Sequence, residues 1–183
     1  MANVDFPKGF RPITNFAGTA PRLTTYTAVD SVAFYEGQPV ALNGDGKVCA
    51  WVVDATYYKT GLGVVAGYLA VATTDRTVQV YDDVNQEYEV QSDGATIAGI
   101  GTLIGINFGV TNISSGTAST GQSIAEITHD SGSASNDSTT PRPFRGIRFA
   151  TDPKNEIAST NPRIIVKMNQ KNHILTGEST ALS

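Results

Sequence analysis

Four carboxylates lie close together along the chain, and carboxylates are the groups that glycoside hydrolysis and calcium binding both require. Asp82 and Asp83 precede Glu87 and Glu89 in the string DDVNQEYE. Two catalytic acids would have to converge in a cleft about 5 to 10 Å apart, which a turn and the outer face of a strand rarely form. Calcium is an alternative that would use Asp82, Asp83 and the Asn85 side chain, although their spacing differs from an EF-hand loop. The pattern is most typical of a solvated turn that blunts a sheet edge.

Histidine and cysteine add little further chemistry, because the chain contains only two histidines and one cysteine. His129 and His173 are too far apart in sequence for the close spacing that directs two side chains at one metal, and we expect both to be solvated. Cys49 cannot form an intrachain disulfide. Its apolar neighbours in KVCAWVV predict a buried, unreactive thiol.

No motif in the sequence indicates an enzyme. The Gly-x-Ser-x-Gly turn of serine hydrolases does not occur. Gly99 and Gly101 begin like a dinucleotide-binding loop, but Ile104 stands where a third glycine is needed, and no helix is expected to follow. We therefore predict a protein without catalytic residues and assign no cofactor or metal to it.

Alternating apolar and polar residues predict β-strands along most of the chain. Val78 and Val80 alternate with polar neighbours before the acidic turn, and Tyr88 and Val90 resume the alternation after it, which predicts a β-hairpin over residues 77–91. The string EGQPVALNGDGKV predicts a smaller hairpin. Further strands are predicted at 26–35, 62–72, 97–110, 123–128, 144–150 and 162–168. Since helical periodicity is not sustained anywhere, we expect an all-β antiparallel sandwich or barrel with little helix.

Length and charge limit the possible partners. The 183 residues suit one domain with an extended arm, and the formal net charge is −4. Scattered cations argue against nucleic-acid binding, and Arg142, Arg145 and Arg148 are the nearest approach to a basic cluster. The longest apolar stretch, 97–110, is too short to cross a bilayer, so no membrane association is expected. The opening string MANVDFPKGFRP lacks the apolar run of a secretory signal, which predicts synthesis in a cytoplasm.

The chain divides into an arm, a body and a tail. We predict an extended N-terminal arm at 1–25, a β-sandwich or barrel body at 26–170 with a polar loop at 129–143, and a C-terminal tail at 171–183. Three prolines deny the arm a regular helix, yet its apolar residues are too many for a free tail. The arm therefore packs either on its own domain or on a neighbouring chain.

The layout of the whole chain resembles that of the capsid decoration, or cement, proteins of tailed bacteriophages. The resemblance is carried by the proline-bearing start MANVDFPKGFRPI, by SVAFYEGQPVALNGDGKVC, by TGLGVVAGYL and by the closing PRIIVKMNQKNHIL. It implies a structural protein of the virion, made in the host cytoplasm, that binds the outer capsid surface. Its implied partners are the major capsid protein and two further copies of itself in a homotrimer.

The arm is the expected contact region, because aromatic and arginine side chains dominate the energetics of interfaces. The residues that we expect at a capsid or subunit interface, each of which could instead pack within its own chain, are Phe6, Phe10, Arg11, Ile13 and Phe16. Two alternatives stay open. One is another virion component, associated with the head-tail junction or a fibre. The other is a carbohydrate-binding module that uses the aromatic faces of Trp51, Tyr57, Tyr58 or Tyr68.

Overall fold

The computed structural model describes residues 3–13, 18–51, 61–93, 105–128, 142–157, 159–169 and 173–175. Within these ranges the chain forms strands and turns without a helix, which confirms the all-β prediction. The strands are β1 Arg11–Pro12, β2 Leu23–Ala28, β3 Pro39–Leu42, β4 Val48–Ala50, β5 Gly61–Val65, β6 Arg76–Tyr81, β7 Glu87–Gln91, β8 Asn107–Thr111, β9 Gly116–Thr117, β10 Gln122–Ser123, β11 Glu126–Thr128, β12 Phe144–Phe149 and β13 Arg163–Met168.

Five strands close into a small barrel in the order β2-β4-β3-β5-β6. Most neighbours are antiparallel, and β2 pairs with β6 along its full length, while a parallel contact between Ala28 and Val48 joins β2 to β4. Apolar residues at alternate positions of β6, such as Val78 and Val80, are buried with Leu62 of β5. The alternation in the sequence therefore directs one face of β6 into a dry interior, whereas β5 is buried along its whole length.

A six-stranded antiparallel sheet, in the order β1-β7-β13-β12-β8-β11, forms the other half of the fold. Its core contains Tyr88, Phe108, Phe144 and Ile164, and it also takes in Trp51 beside the barrel. The core thus joins the sheet to the barrel, and the two prediction alternatives, sandwich and barrel, are each partly realised. A separate two-stranded ribbon is formed by β9 and β10.

The predicted hairpin over 77–91 is wrong, although both of its strands exist. β6 pairs with β2 and β5 in the barrel, whereas β7 pairs with β1 and β13 in the sheet. The residues between them cross from one unit to the other, and Asp82 is buried there. Period-two alternation reports which face of a strand is buried but does not identify the strand beside it.

Other predicted strands are present with shifted ends. The EGQPVALNGDGKV hairpin is formed by β3 and β4, and the closing pair is formed by β12 and β13. The strand predicted at 62–72 ends at Val65, because the chain turns outward and Tyr68 and Val71 are exposed. β2 begins at Leu23, so the body starts before residue 26. The Gly-rich residues 94–104, most of the loop 129–143 and most of the tail after 170 lie outside the described residues.

Candidate functional site

Phe10 anchors the N-terminal arm in the core of its own chain. Its side chain is completely buried. The ring stacks on Phe144, with centroids 4.3 Å apart, and meets the edge of Tyr88 at 6.3 Å. Aromatic pairs at these distances add to the stabilisation from buried area. Phe10 is therefore packed within its own chain, which is the intramolecular alternative that the sequence left open.

A close approach of two glycines lets the arm reach this position. Gly9 has a φ of +65° and Gly37 has a φ of +82°. A Cβ on Gly9 would lie 2.6 Å from the Gly37 carbonyl oxygen and 2.8 Å from Ser123 Cβ. The Phe10 amide then donates to the Gly37 carbonyl at 2.9 Å. Only glycine fits at position 9 without displacing the arm.

Amide side chains hold the first part of the arm where it has no strand partner. Gln91 accepts a hydrogen bond from the Phe6 amide at 3.0 Å and donates to the Val4 carbonyl at 2.7 Å. Asn3 donates to the carbonyls of Glu156 and Thr160, and its Oδ1 accepts from the Glu156 amide at 2.9 Å. These side chains satisfy main-chain groups that would otherwise depend on water.

The last part of the arm joins the sheet directly. Arg11 and Pro12 form the edge strand β1 beside β7. The Ile13 amide donates to the Glu87 carbonyl at 3.0 Å, and the Ile13 carbonyl accepts from the Gln86 side chain. Ile13 is half-buried and Arg11 is exposed. The described arm, residues 3–13, is thus attached to its own body along its length.

A groove of about 600 Å³ lies beside the docked arm. Its walls are the arm and the segment 152–156, and strands β7 and β13 contribute to it between them. Val4 is 77% exposed and Phe6 is 63% exposed, so two large apolar side chains face solvent at the groove although their main chain is held by Gln91. Exposed apolar groups on an anchored segment mark this groove as the candidate functional site. We call it the arm groove.

The arm groove is lined by seven charged residues, namely the cations Lys8, Arg11, Lys154 and Arg163 and the carboxylates Glu89, Asp152 and Glu156. Arg163 bridges Glu89, at 3.2 Å, and Asp152. The hydrogen bond from Arg163 holds the pKa of the Asp152 carboxyl below its usual range. Lys8, whose Nζ lies 5.0 Å from the Phe6 ring centroid, is exposed. Three cations of the groove make no salt bridge to any described residue, namely Lys8, Arg11 and Lys154.

In the acidic turn, the carboxylate of Asp82 is paired with two side chains of the same chain. Asp82 Oδ1 accepts from Arg22 Nε at 2.8 Å, and Asp82 Oδ2 accepts from the Tyr26 hydroxyl at 2.6 Å. Burial would raise the pKa of Asp82, but these bonds outweigh it and lower the pKa. Asp83 accepts from the Asn85 amide at 2.8 Å. In the described part of the chain no three acidic, histidine or cysteine side chains are grouped to hold a metal.

His173 is buried, and the expectation that it is solvated was wrong. Its side chain is 1% exposed, because the chain at 173–174 pairs with Gly61 beside the barrel. Burial lowers the pKa of His173 to about 4. A polar sequence context near the C-terminus did not reveal this contact. His129 lies outside the described residues.

Glu126 is a second buried ionisable group, and sequence reasoning did not single it out. It is 8% exposed at the start of β11. Burial, together with the nearby charges of Asp5 and Asp93, raises the pKa of Glu126 to about 7. Since Asp5 belongs to the arm, the charge of Glu126 is coupled to the arm electrostatically.

The aromatic residues considered for sugar binding differ in exposure. Trp51 is completely buried, which removes it as a stacking platform. Tyr68 is 43% exposed, and its ring centroid lies 5.6 Å from that of Tyr35. Tyr57 and Tyr58 lie outside the described residues.

The five residues expected at an interface are not equivalent. Phe6 and Arg11 are exposed at the arm groove, Phe10 is buried and Ile13 is half-buried. Phe16 lies outside the described residues. Sequence reasoning missed Val4, which is the most exposed large apolar side chain of the described arm. It also missed Asn3 and Gln91, since amides carry no sequence signal for a partner more than eighty positions away.

Comparison with models of known protein families and with curated proteins finds no match for this chain. Across the described residues, no helix has the length and apolar character needed to cross a membrane.

Proposed function

We propose that the protein is a structural component of a phage head, without catalytic activity, that binds the outer capsid surface and bridges major capsid protein subunits. The observation that supports this most is the arm groove, where Val4 and Phe6 are exposed on a segment held by Gln91 and anchored by Phe10. Ordering an arm on binding costs free energy, and an arm already docked avoids much of that cost. The proposed location of the mature protein is the capsid surface.

The body suits a bridging role for a mechanical reason. The barrel and the sheet share a core around Trp51, Phe10 and Phe144. A bridge transmits load between subunits only if its own elements resist separation, and continuous packing provides that resistance. Assembly as a homotrimer is part of the proposal, because linked contacts at several subunits raise the strength of attachment without new contacts.

Sedimentation with capsids tests the proposal. Expanded heads of the phage that encodes this chain, prepared without the protein, are mixed with the purified full-length chain and pelleted. We expect saturable co-sedimentation and an increase in the temperature at which the heads break. Heads that neither retain the protein nor gain stability would reject the proposed function. Binding confined to the head-tail junction or to fibres would favour the other virion component instead.

A carbohydrate-binding module is a second candidate, favoured by one observation. The Tyr68 ring is exposed and is supported from below by Tyr35 and Gly121. A supported exposed ring is the usual platform for a sugar. This candidate predicts saturable glycan binding that Tyr68→Ala abolishes and Phe6→Ala leaves unchanged, as measured on a glycan array and by titration.

A further inference from the structure

We infer that the arm groove binds a short, extended, acidic segment of a partner protein that carries an apolar side chain. This inference rests on the proposed function in one respect, because it names the chemistry of the capsid segment that the groove would meet. It is otherwise carried by the size, charge and exposed apolar surface of the groove, so each part can be tested by itself.

The size of the site limits its occupant. A cavity of about 600 Å³ falls in the usual range for bound ligands and is too small for a folded domain. A second, smaller cavity of about 200 Å³ adjoins the groove, since Lys8 and Arg11 line both. An extended segment that runs beside the arm would pass these two cations. β1 offers such a segment few main-chain donors, since one of its two residues is Pro12.

The charges favour an acidic occupant. The four cations that line the groove outnumber its three carboxylates, Glu89, Asp152 and Glu156, by one charge, and Arg163 is paired with both Glu89 and Asp152. Lys8, Arg11 and Lys154 are exposed and make no salt bridge to a described residue. The chain as a whole carries a net charge of −4. A negatively charged segment is therefore favoured at this groove over the rest of the surface.

The apolar surface favours a protein segment over a simple anion. Val4 and Phe6 add exposed hydrocarbon beside the cations, and the exposed Pro153 also lines the groove. Inorganic phosphate or a sugar phosphate would leave this surface uncovered, whereas a leucine flanked by carboxylates would cover it and meet Lys8 and Arg11.

Fluorescence anisotropy with a labelled peptide of sequence ETELETE tests the inference on the full-length protein. We expect saturable binding that weakens about tenfold in the triple variant Lys8→Gln, Arg11→Gln, Lys154→Gln. A matched triple variant, Arg76→Gln, Arg145→Gln, Lys167→Gln, removes the same charge outside the groove and should change the affinity less than about twofold. Phe6→Ser, and a peptide in which threonine replaces the leucine, should each weaken binding about fivefold. Thermal melting establishes that every variant is folded.

Any one of three peptide-binding results would overturn the inference. They are no saturable binding of ETELETE, equal binding of the cationic peptide KTKLKTK, and equal losses in the two triple variants. An oligothymidylate of equal charge that binds as tightly would assign the cations to phosphate and overturn it as well. Heads that are prepared without the protein and retain the groove triple variant fully would reject the acidic segment and leave the proposed function standing. Binding of ETELETE without binding to heads would support the acidic segment and reject the proposed function.

Discussion

At the scale of single residues, side-chain amides hold the arm by hydrogen bonds of the kind that main-chain groups normally make. A segment that contains Pro7 and Pro12 has fewer amide donors, and among the described strands none pairs with residues 3–6. Gln91 and Asn3 each offer one donor group and one acceptor, as a peptide unit does. The result is a docked arm whose main chain is satisfied while Val4 and Phe6 stay exposed.

Two phenylalanines four positions apart are expected to respond oppositely to truncation. Phe10→Ala removes a fully buried ring from the shared core and should lower the free energy of unfolding by about 3–5 kcal/mol. Phe6→Ala removes a ring that is 63% exposed and should change it by less than about 0.5 kcal/mol. Urea denaturation measures both. Equal losses in the two variants would contradict the assignment of Phe10 to the core and Phe6 to the groove.

Only part of this distinction could be predicted from the sequence. Phe10 has the apolar partners that the sequence predicts for the arm, whereas Phe6, to which the same argument applies, is 63% exposed. Which ring is buried depends on the approach of Gly9 to Gly37, a contact between distant positions with no local signal. The burial of His173 beside Gly61 was missed for the same reason.

Two buried ionisable residues predict opposite dependences of stability on pH. Glu126 has a pKa of about 7 in the fold against an ordinary 4.5. Its contribution to the free energy of unfolding is therefore full below pH 4.5 and is lost as the pH rises through 7. His173 has a pKa of about 4 in the fold against an ordinary 6.5. Its contribution to the free energy of unfolding is therefore full above pH 6.5 and is lost as the pH falls through 4. In the wild-type protein the two trends oppose each other between these limits.

Single variants separate the two trends. In His173→Gln, stability should rise as the pH falls from 7 to 4.5, and in Glu126→Gln it should fall as the pH falls from 6.5 to 4. Each change should be on the order of 1–2 kcal/mol, since partial solvent access reduces the effect. Urea denaturation at half-unit pH intervals measures them. Parallel curves for wild type and both variants would contradict the assigned shifts.

At the scale of elements, β6 and β7 show what strand patterns convey. The buried valines of β6 follow from alternating residues in the sequence, whereas Glu87 and Gln91 of β7 are buried together with Tyr88 and Val90. The pairing partners of the two strands do not follow from the sequence, because the residues between them carry the chain from the barrel to the sheet, where Arg22 and Tyr26 pair with Asp82. The short polar connection between β6 and β7 has the sequence pattern of a hairpin turn, and a connection that contains a buried and paired carboxylate has the same pattern.

Docking of the arm as an element is expected to depend on Gly9. Gly9→Ala adds a Cβ that would lie 2.6 Å from the Gly37 carbonyl oxygen and also strains a φ of +65°. We expect a loss of about 2–4 kcal/mol in the free energy of unfolding and faster hydrogen exchange at the Phe6 and Phe10 amides.

Gly46→Ala is the matched control, because its φ is +73° with no atom within 4 Å of the added Cβ. It should cost only about 1 kcal/mol and leave exchange in the arm unchanged. Equal effects of the two substitutions would contradict close docking of the arm.

At the scale of the whole molecule, the arm groove lies on the six-stranded sheet next to the chain's own arm. Because residues 3–13 are attached to their own body, the proposed trimer does not require exchange of this segment between subunits. In the proposal, the arm groove of every subunit is kept for the capsid.

Light scattering of the purified protein tests the assembly that is part of the proposal. We expect a mass near three subunits, and Phe6→Ser should not change it, since Phe6 is assigned to the capsid contact. A mass of one subunit in solution and on heads would remove the trimer from the proposal. A mass that falls in Phe6→Ser would reassign the arm groove to contacts between subunits.

The most direct test of the central claim is a cryo-electron microscopy map of phage heads saturated with the protein. We predict density for the protein on the outer surface with the arm groove against the capsid and with Val4 and Phe6 in contact with a major capsid protein segment. A map in which the groove faces solvent, or in which the protein adds no density to the head, would contradict the account.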